Sequence, residues 1–250
     1  FSGTMTLNKS LTVHIGNGSA GVDAEFSGVV SGSGSMTKSG AGTLIVSAAN
    51  SYSGDTAISE GTLRLANAND RLSDDTLINV SSGATFDMND FYDKVKGLSG
   101  AGSVMLGSVA VDRLRLGGDH ADRTFFGVIS GSGNVIKEGS GIWTLSGANT
   151  FSGDMKIEAG TLRLAANDRL SDDTLVDVSG GATFDLNEFY DKVKGLVGSG
   201  NVTVGATSGD RLRVGSDNVD RTFSGVISEA GNVIKEGSGI WTLAGANTYT

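Results

Sequence analysis

The chain has 250 residues, with 39 Gly, no Pro and no Cys, 38% apolar and 6% aromatic residues, and a formal net charge of −9. Large side chains are too few for one thick core, and Val, Ile and Leu are too many for disorder, so a thin core drawn out along one axis fits both facts. The lack of Cys excludes a disulfide framework, the acidic charge argues against nucleic acid and anionic lipid as partners, and no run approaches the roughly 18 apolar residues of a membrane span.

Taken in chain order, residues 1–25 read as the tail of a repeat copy, 26–124 as copy 1, 125–222 as copy 2 and 223–250 as a truncated copy 3, all within one segment. Trp143-Thr144-Leu145 returns as Trp241-Thr242-Leu243, a shift of 241 − 143 = 98, and Arg64 returns as Arg163, a shift of 99. Such periodicity is the mark of a repeat architecture. The chain carries no signal peptide and stops at Thr250 inside a motif that continues in the other copies, so a longer parent is expected.

Within copy 2 the runs 154–158, 161–164, 175–178, 183–186, 201–204 and 211–214 alternate apolar and polar residues, the period of a half-buried strand. Ser179-Gly180-Gly181 and Gly198-Ser199-Gly200 read as turns between them. The stretch 188–193, the nearest thing to a helix, reads as a corner followed by a strand. A sandwich or barrel does not require near-identical copies, and a propeller would repeat every 40–50 residues or so. A stacked solenoid remains. About ten strands per copy give three to five coils per copy, and a rod of very roughly 40–65 Å. Val176, Val178, Phe184, Leu186, Val202, Val204, Leu212 and Val214 should point inward.

Gly permits left-handed backbone at coil corners. Pro would remove ladder donors from strands bonded on both sides. Asn50, Asn149 and Asn247 are candidates either for a stacked amide ladder or for turn chemistry. Tyr52 and Phe151 should pack beside that corner.

One group of residues carries a family resemblance. Residues 32–44 (GSGSMTKSGAGTL) lead to Ala49-Asn50-Ser51-Tyr52-Ser53-Gly54 and then Glu60-Gly61-Thr62-Leu63. The second copy repeats this at 131–141, 147–153 and 159–162, and the third begins at Gly231. The pattern resembles the autotransporter-associated β-strand repeat, also called the passenger-associated transport repeat. Residues 181–187 with 195–200 resemble its second recurrent block, so the resemblance covers nearly the whole chain. Ala48 stands where the other copies have Gly147 and Gly245. Glu188 stands where the family often has Gly, and Trp143 and Trp241 where it usually has Thr. The resemblance implies a right-handed parallel β-helix, carried across the outer membrane as a passenger and exposed on the bacterial cell surface.

Catalytic and metal signals are thin. Of the two histidines, His14 and His120, the second sits in Gly118-Asp119-His120-Ala121-Asp122, yet the next copy has Asn218 there. No Ser/His/Asp convergence is visible. Asp74-Asp75 and Asp172-Asp173 could offer oxygens to Ca²⁺, but turn or capping use suits them better. Gly32-Ser33-Gly34 and Gly131-Ser132-Gly133 lack the Lys-Ser/Thr of a phosphate loop. No cofactor or metal is expected. Arg113, Arg115, Arg211 and Arg213 recur at 98 and, if copies stack, would line one edge of the rod. They would serve there as a binding stripe for an anionic receptor or glycan, or pair with acids of adjacent rungs. The expected role is a non-catalytic adhesin segment that meets a host or neighbouring-cell receptor or glycan, or other rods, without itself entering the membrane. The alternatives are a stalk or folding platform, and a polysaccharide-degrading β-helix enzyme.

Overall fold

The computed structural model describes residues 1–18, 23–109, 113–207 and 209–250. Among them lie thirty strands of two to four residues and no helix. Neighbouring strands pair in parallel across coils, as Arg123–Phe125 does with Ile142–Leu145, and that strand with Thr161–Leu164. The longest sheet has eleven strands and runs from Leu11–His14 to Val226–Ser228, one strand per turn. With coils about 4.8 Å apart, ten steps make a rod of about 50 Å. The fold is a parallel β-helix of about eleven turns.

The strands are short because each face of the coil is narrow, and they alternate because one side of each face is the core. Thr161–Leu164 buries Leu162 and Leu164 and turns Thr161 and Arg163 outward. Val176, Val178, Phe184, Leu186, Val202, Val204, Leu212 and Val214 are all inside, none more than 1% exposed. The stretch 188–193 is a corner with Glu188 at φ 68°, followed by strand Tyr190–Val193.

Copies do not contain a whole number of coils. Thr43–Val46 lies in the six-stranded sheet, Ile142–Leu145 at the same place in the next copy lies in the eleven-stranded sheet, and Trp241–Leu243 lies in the eight-stranded sheet. From Thr43–Val46 the chain passes four further strands of that sheet, ending at Val128–Ser130. It then crosses Asn134–Lys137 to reach Ile142–Leu145, four turns plus two faces. The next copy does the same through Asn232–Lys235. Equivalent residues are thus related by a screw that carries them to another side of the rod. Their register is kept, Trp143 with Arg123 as Trp241 with Arg221, but their surroundings differ. Trp143 is buried with no partner for its indole N–H among the described residues, whereas Trp241 is half-buried and donates to Leu196 O (3.2 Å).

That screw rules out an Asn ladder, because the three Asn occupy different corners. It also shows that they do more than shape a turn. Asn149 is 4% exposed. Its Oδ1 accepts the Ile129 N–H of the coil before (2.9 Å), and its Nδ2 donates to Gly147 O (3.0 Å) and to Arg169 O of the coil after (2.8 Å). Asn50 makes the same three bonds to Val30, Ala48 and Arg71. Each is a clamp across three coils. Beside these clamps Tyr52 and Phe151 are buried.

A candidate binding face

The four arginines do not form one stripe. Arg113 and Arg115 sit on Arg113–Leu116 in the eight-stranded sheet, whereas Arg211 and Arg213 sit on Arg211–Val214 in the three-stranded sheet. The reason is again the fractional number of coils per copy. The single-edge expectation is corrected to two separate pairs on different faces.

Each pair is partly consumed by neighbours in adjacent coils. Arg115 Nε donates to Glu138 (2.5 Å) and the same guanidinium reaches Glu158 (3.0 Å). Lys94 joins this cluster, 3.4 Å from Glu138 and 3.6 Å from Asp74. Burial opposes charge on Lys94 and Arg115, but Glu138, with Asp74 beside Lys94 and Glu158 beside Arg115, holds both above their ordinary values. In the next copy Arg213 bonds Glu236, Lys192 is 2.9 Å from Asp172, and the Arg211 guanidinium lies 5.8 Å from the centroid of the Tyr190 ring. Such partly exposed pairs contribute about 0.2–1 kcal/mol each.

Arg113 differs. It is exposed and forms no ion pair with any described residue. It stands at the rim of a groove of about 280 Å³ on the eight-stranded face, crossing five coils. Ile136, Leu175 and Val197 line its apolar part, and Asp154, Lys156, Glu158 and Asp177 its charged part. Lys156 is tied to Glu158 at 3.1 Å. An apolar strip flanked by the exposed Arg113 and by carboxylates can hold an elongated polar ligand by its backbone or ring faces.

The remaining sequence candidates have structural work. His120 sits in the left-handed region (φ 59°), and its Nδ1 accepts the Ser140 N–H of the next coil at 3.1 Å. Asn218 does the same (φ 61°, Ser238 N–H to Oδ1, 2.8 Å). The two residues alternate because both tolerate this backbone and both offer an acceptor. Ser73 and Ser171 hydroxyls accept the Asp75 and Asp173 amides, a turn arrangement. Among the described residues no three His, Cys, Asp or Glu side chains gather in a way that could hold a metal ion. Gly32 is a corner at φ 103°, with the Gly34 N–H bonded to Leu7 O.

Two buried ionic features escaped the sequence reading. Lys38 and Lys137 point inward and are at most 2% exposed. The Lys137 ammonium donates to the carbonyls of Glu138 (3.1 Å), Gly139 (2.9 Å) and, one coil on, Ala159 (2.9 Å). Lys38 does so to Ser39, Gly40 and Glu60. Burial pushes Lys137 down to about 8, which leaves it charged at neutral pH. Gly61 closes the Lys38 pocket at φ 66°, where a Cβ would stand 2.7 Å from Nζ. The second feature is Asp93 and Asp191, both fully buried. The signal for all four lay in the period of two: Lys38 follows inward Met36, and Asp191 precedes inward Val193.

These inward lysines and corner asparagines belong to stretches that match a known family. The passenger-associated-transport-repeat matches residues 36–65, 135–164 and 233–250. The chain carries the repeats of an autotransporter passenger. It is 32% identical over 257 aligned positions to the adhesin BmaC autotransporter of Brucella suis biovar 1, covering 98% of this chain and 7% of that protein. It is 26% identical over 191 positions to the probable autotransporter YfaL of Escherichia coli K12, covering 68% of this chain and 14% of that protein. The passenger segment therefore spans less than a sixth of the length of either relative. No solved structure matches it.

Proposed function

We propose that this passenger segment is a non-catalytic rod of a surface-exposed adhesin, exported across the outer membrane, and that its eight-stranded face contacts a receptor or glycan on a host or neighbouring cell. The observation that carries the reading is the groove beside Arg113, an exposed cation with no ion pair among the described residues, whereas Arg115 on the same strand is engaged by Glu138 and Glu158. The adhesin named among its relatives supports the same role. A rigid rod suits it, since a preorganised face loses little freedom on binding.

A bead-adhesion assay tests this. Beads coated with the chain should adhere to cells, and Arg113→Ala combined with Lys156→Ala should reduce adhesion at least about tenfold, the worth of roughly 1.4 kcal/mol, without lowering the melting temperature. Adhesion by the doubly substituted chain equal to wild type would remove this groove from the account. No adhesion by either would favour the second reading, a spacer. That reading rests on the regular coil stacking and on near-identical copies, which add length without adding a distinct site.

A further inference from the structure

Asp93 and Asp191 are the two fully buried carboxylates that face the same element in successive copies. Asp191 Oδ2 accepts two backbone amides, Arg169 N–H at 2.8 Å and Leu170 N–H at 3.0 Å. Asp93 Oδ2 accepts Arg71 N–H and Leu72 N–H, both at 3.0 Å. In each residue Oδ1 is buried and has no hydrogen-bond partner among the described residues. The amides belong to the longest corners of their copies, residues 66–76 and 165–174, which lie between strands Thr62–Leu65 and Leu77–Val80 and between Thr161–Leu164 and Leu175–Val178. The corners are rich in exposed polar residues, and their outer side is also tied to other coils. Arg71 O and Arg169 O accept from Asn50 and Asn149, the Asp70 and Asp168 amides donate to Tyr92 O and Tyr190 O, and Leu72 and Leu170 are buried.

We propose that Asp93 and Asp191 are proton-operated latches: as neutral acids they hold these corners shut against the core, and on ionising they let the corners lift so that water reaches Oδ1. The physical reason is asymmetry within one carboxyl. The Oδ2 side is satisfied in either form. The Oδ1 side is buried with no hydrogen-bond partner among the described residues, so half of a delocalised negative charge has no donor there to solvate it. Around Asp93 stand Asp70, Arg71 and Asp74 on the corner, the Tyr52 hydroxyl from the coil before that corner, its chain neighbours Tyr92 and Lys94, and Arg113 and Arg115 flanking its register partner Leu114. The Tyr52 hydroxyl is engaged with Thr56 (2.6 Å), which bonds Thr76 (2.9 Å). Around Asp191 stand Asp168 and Arg169 on the corner, Tyr190 and Lys192 on its own strand, and Arg211 and Arg213 flanking Leu212. There Phe151 and Met155 replace Tyr52 and Thr56, so that neighbourhood is the more apolar.

Burial raises both carboxyls from 3.8 to about 7, against the amides of Leu72 and Arg71 at Asp93 and those of Leu170, Arg169 and, more weakly, Lys192 at Asp191. A folded value raised above the unfolded one means that the closed state holds a proton that the open state releases. Closure is therefore fully favoured below the ordinary carboxylate range. It is lost as pH rises toward about 7, and is flat above that.

Amide hydrogen exchange across pH reads the latch directly, once rates are normalised to an unstructured peptide. Protection at Arg71, Leu72, Arg169 and Leu170 should fall between about pH 4 and pH 7 by up to about tenfold per pH unit, while protection at core strands such as Asn201–Thr203 stays constant. Asp93→Asn and Asp191→Asn mimic the neutral acid and should each abolish the fall at their own corner only. If either substituted chain fails to fold, the aspartate carboxyl carbons of wild type can be titrated by NMR. Two of them should titrate near neutral pH. Carboxyls that all titrate in the ordinary range, or pH-dependent protection that survives in the Asn variants, would overturn the proposal.

Discussion

The smallest features of this protein explain its peculiar composition. A lysine in the core of a thin β-helix is costly unless its charge is met, and Lys137 meets three carbonyls in two successive coils. It staples those coils from within, where an apolar side chain could only fill space. Replacing it with Met removes the donor from these half-buried carbonyls. Lys137→Met should cost about 2–4 kcal/mol by urea unfolding. Lys235, whose ammonium is exposed and bonds only Glu236 and Gly237, should lose less than about 1 kcal/mol on the same change. Equal costs at the two sites would show that carbonyl capping is not what Lys137 contributes. The inward position of these lysines was legible in the strand alternation, but the reason was not. The third carbonyl that receives Lys137 comes from Ala159 of the next coil, and only the stacking of coils shows that it is there. Asp191 hid for the same cause, since its partners, the amides of Arg169 and Leu170, lie one coil back.

At the level of strands and coils, the alternation of apolar and polar residues carried nearly everything. It placed Val176, Val178, Phe184 and Leu186 inside, and the Gly and Asn positions marked the corners. It could not place one coil against another. Successive strands of the long sheet begin at 142, 161, 183 and 201, so the coils differ in length by several residues. The repeat length of 98 or 99 therefore says nothing about which face a copy returns to. This is why arginines 98 residues apart, which suggest one edge in sequence, stand on two faces. Because each coil touches only its neighbours, damage should also stay local. Leu186→Asp sets an unpaired charge in the core, a loss of several kcal/mol. Amides of the strands around it, Thr161–Leu164 and Asn201–Thr203, should lose protection, while Thr85–Asp87, around Phe86, keeps its own. Loss of protection at Phe86 equal to that near residue 186 would mean that the rod unfolds as one unit.

The whole molecule is a rod of about eleven turns whose repeats wind around it, shifting by two faces every four turns. A motif present once per copy is therefore shown in a different direction each time. That agrees with the proposal of a single contact face at the groove beside Arg113, which no copy repeats on the same side of the rod. The account stands on parallel coil-to-coil register. The native chain has no Cys, which makes a cross-link unambiguous. Thr124 and Thr144 are outward register partners on adjacent coils. Parallel neighbours about 4.8 Å apart fall within the Cα separation that a disulfide accepts. A Thr124→Cys/Thr144→Cys chain should form an intramolecular disulfide under mild oxidation while folded, and lose that ability in urea. A folded chain in which these two thiols stay free would contradict the parallel stacking on which every other statement rests.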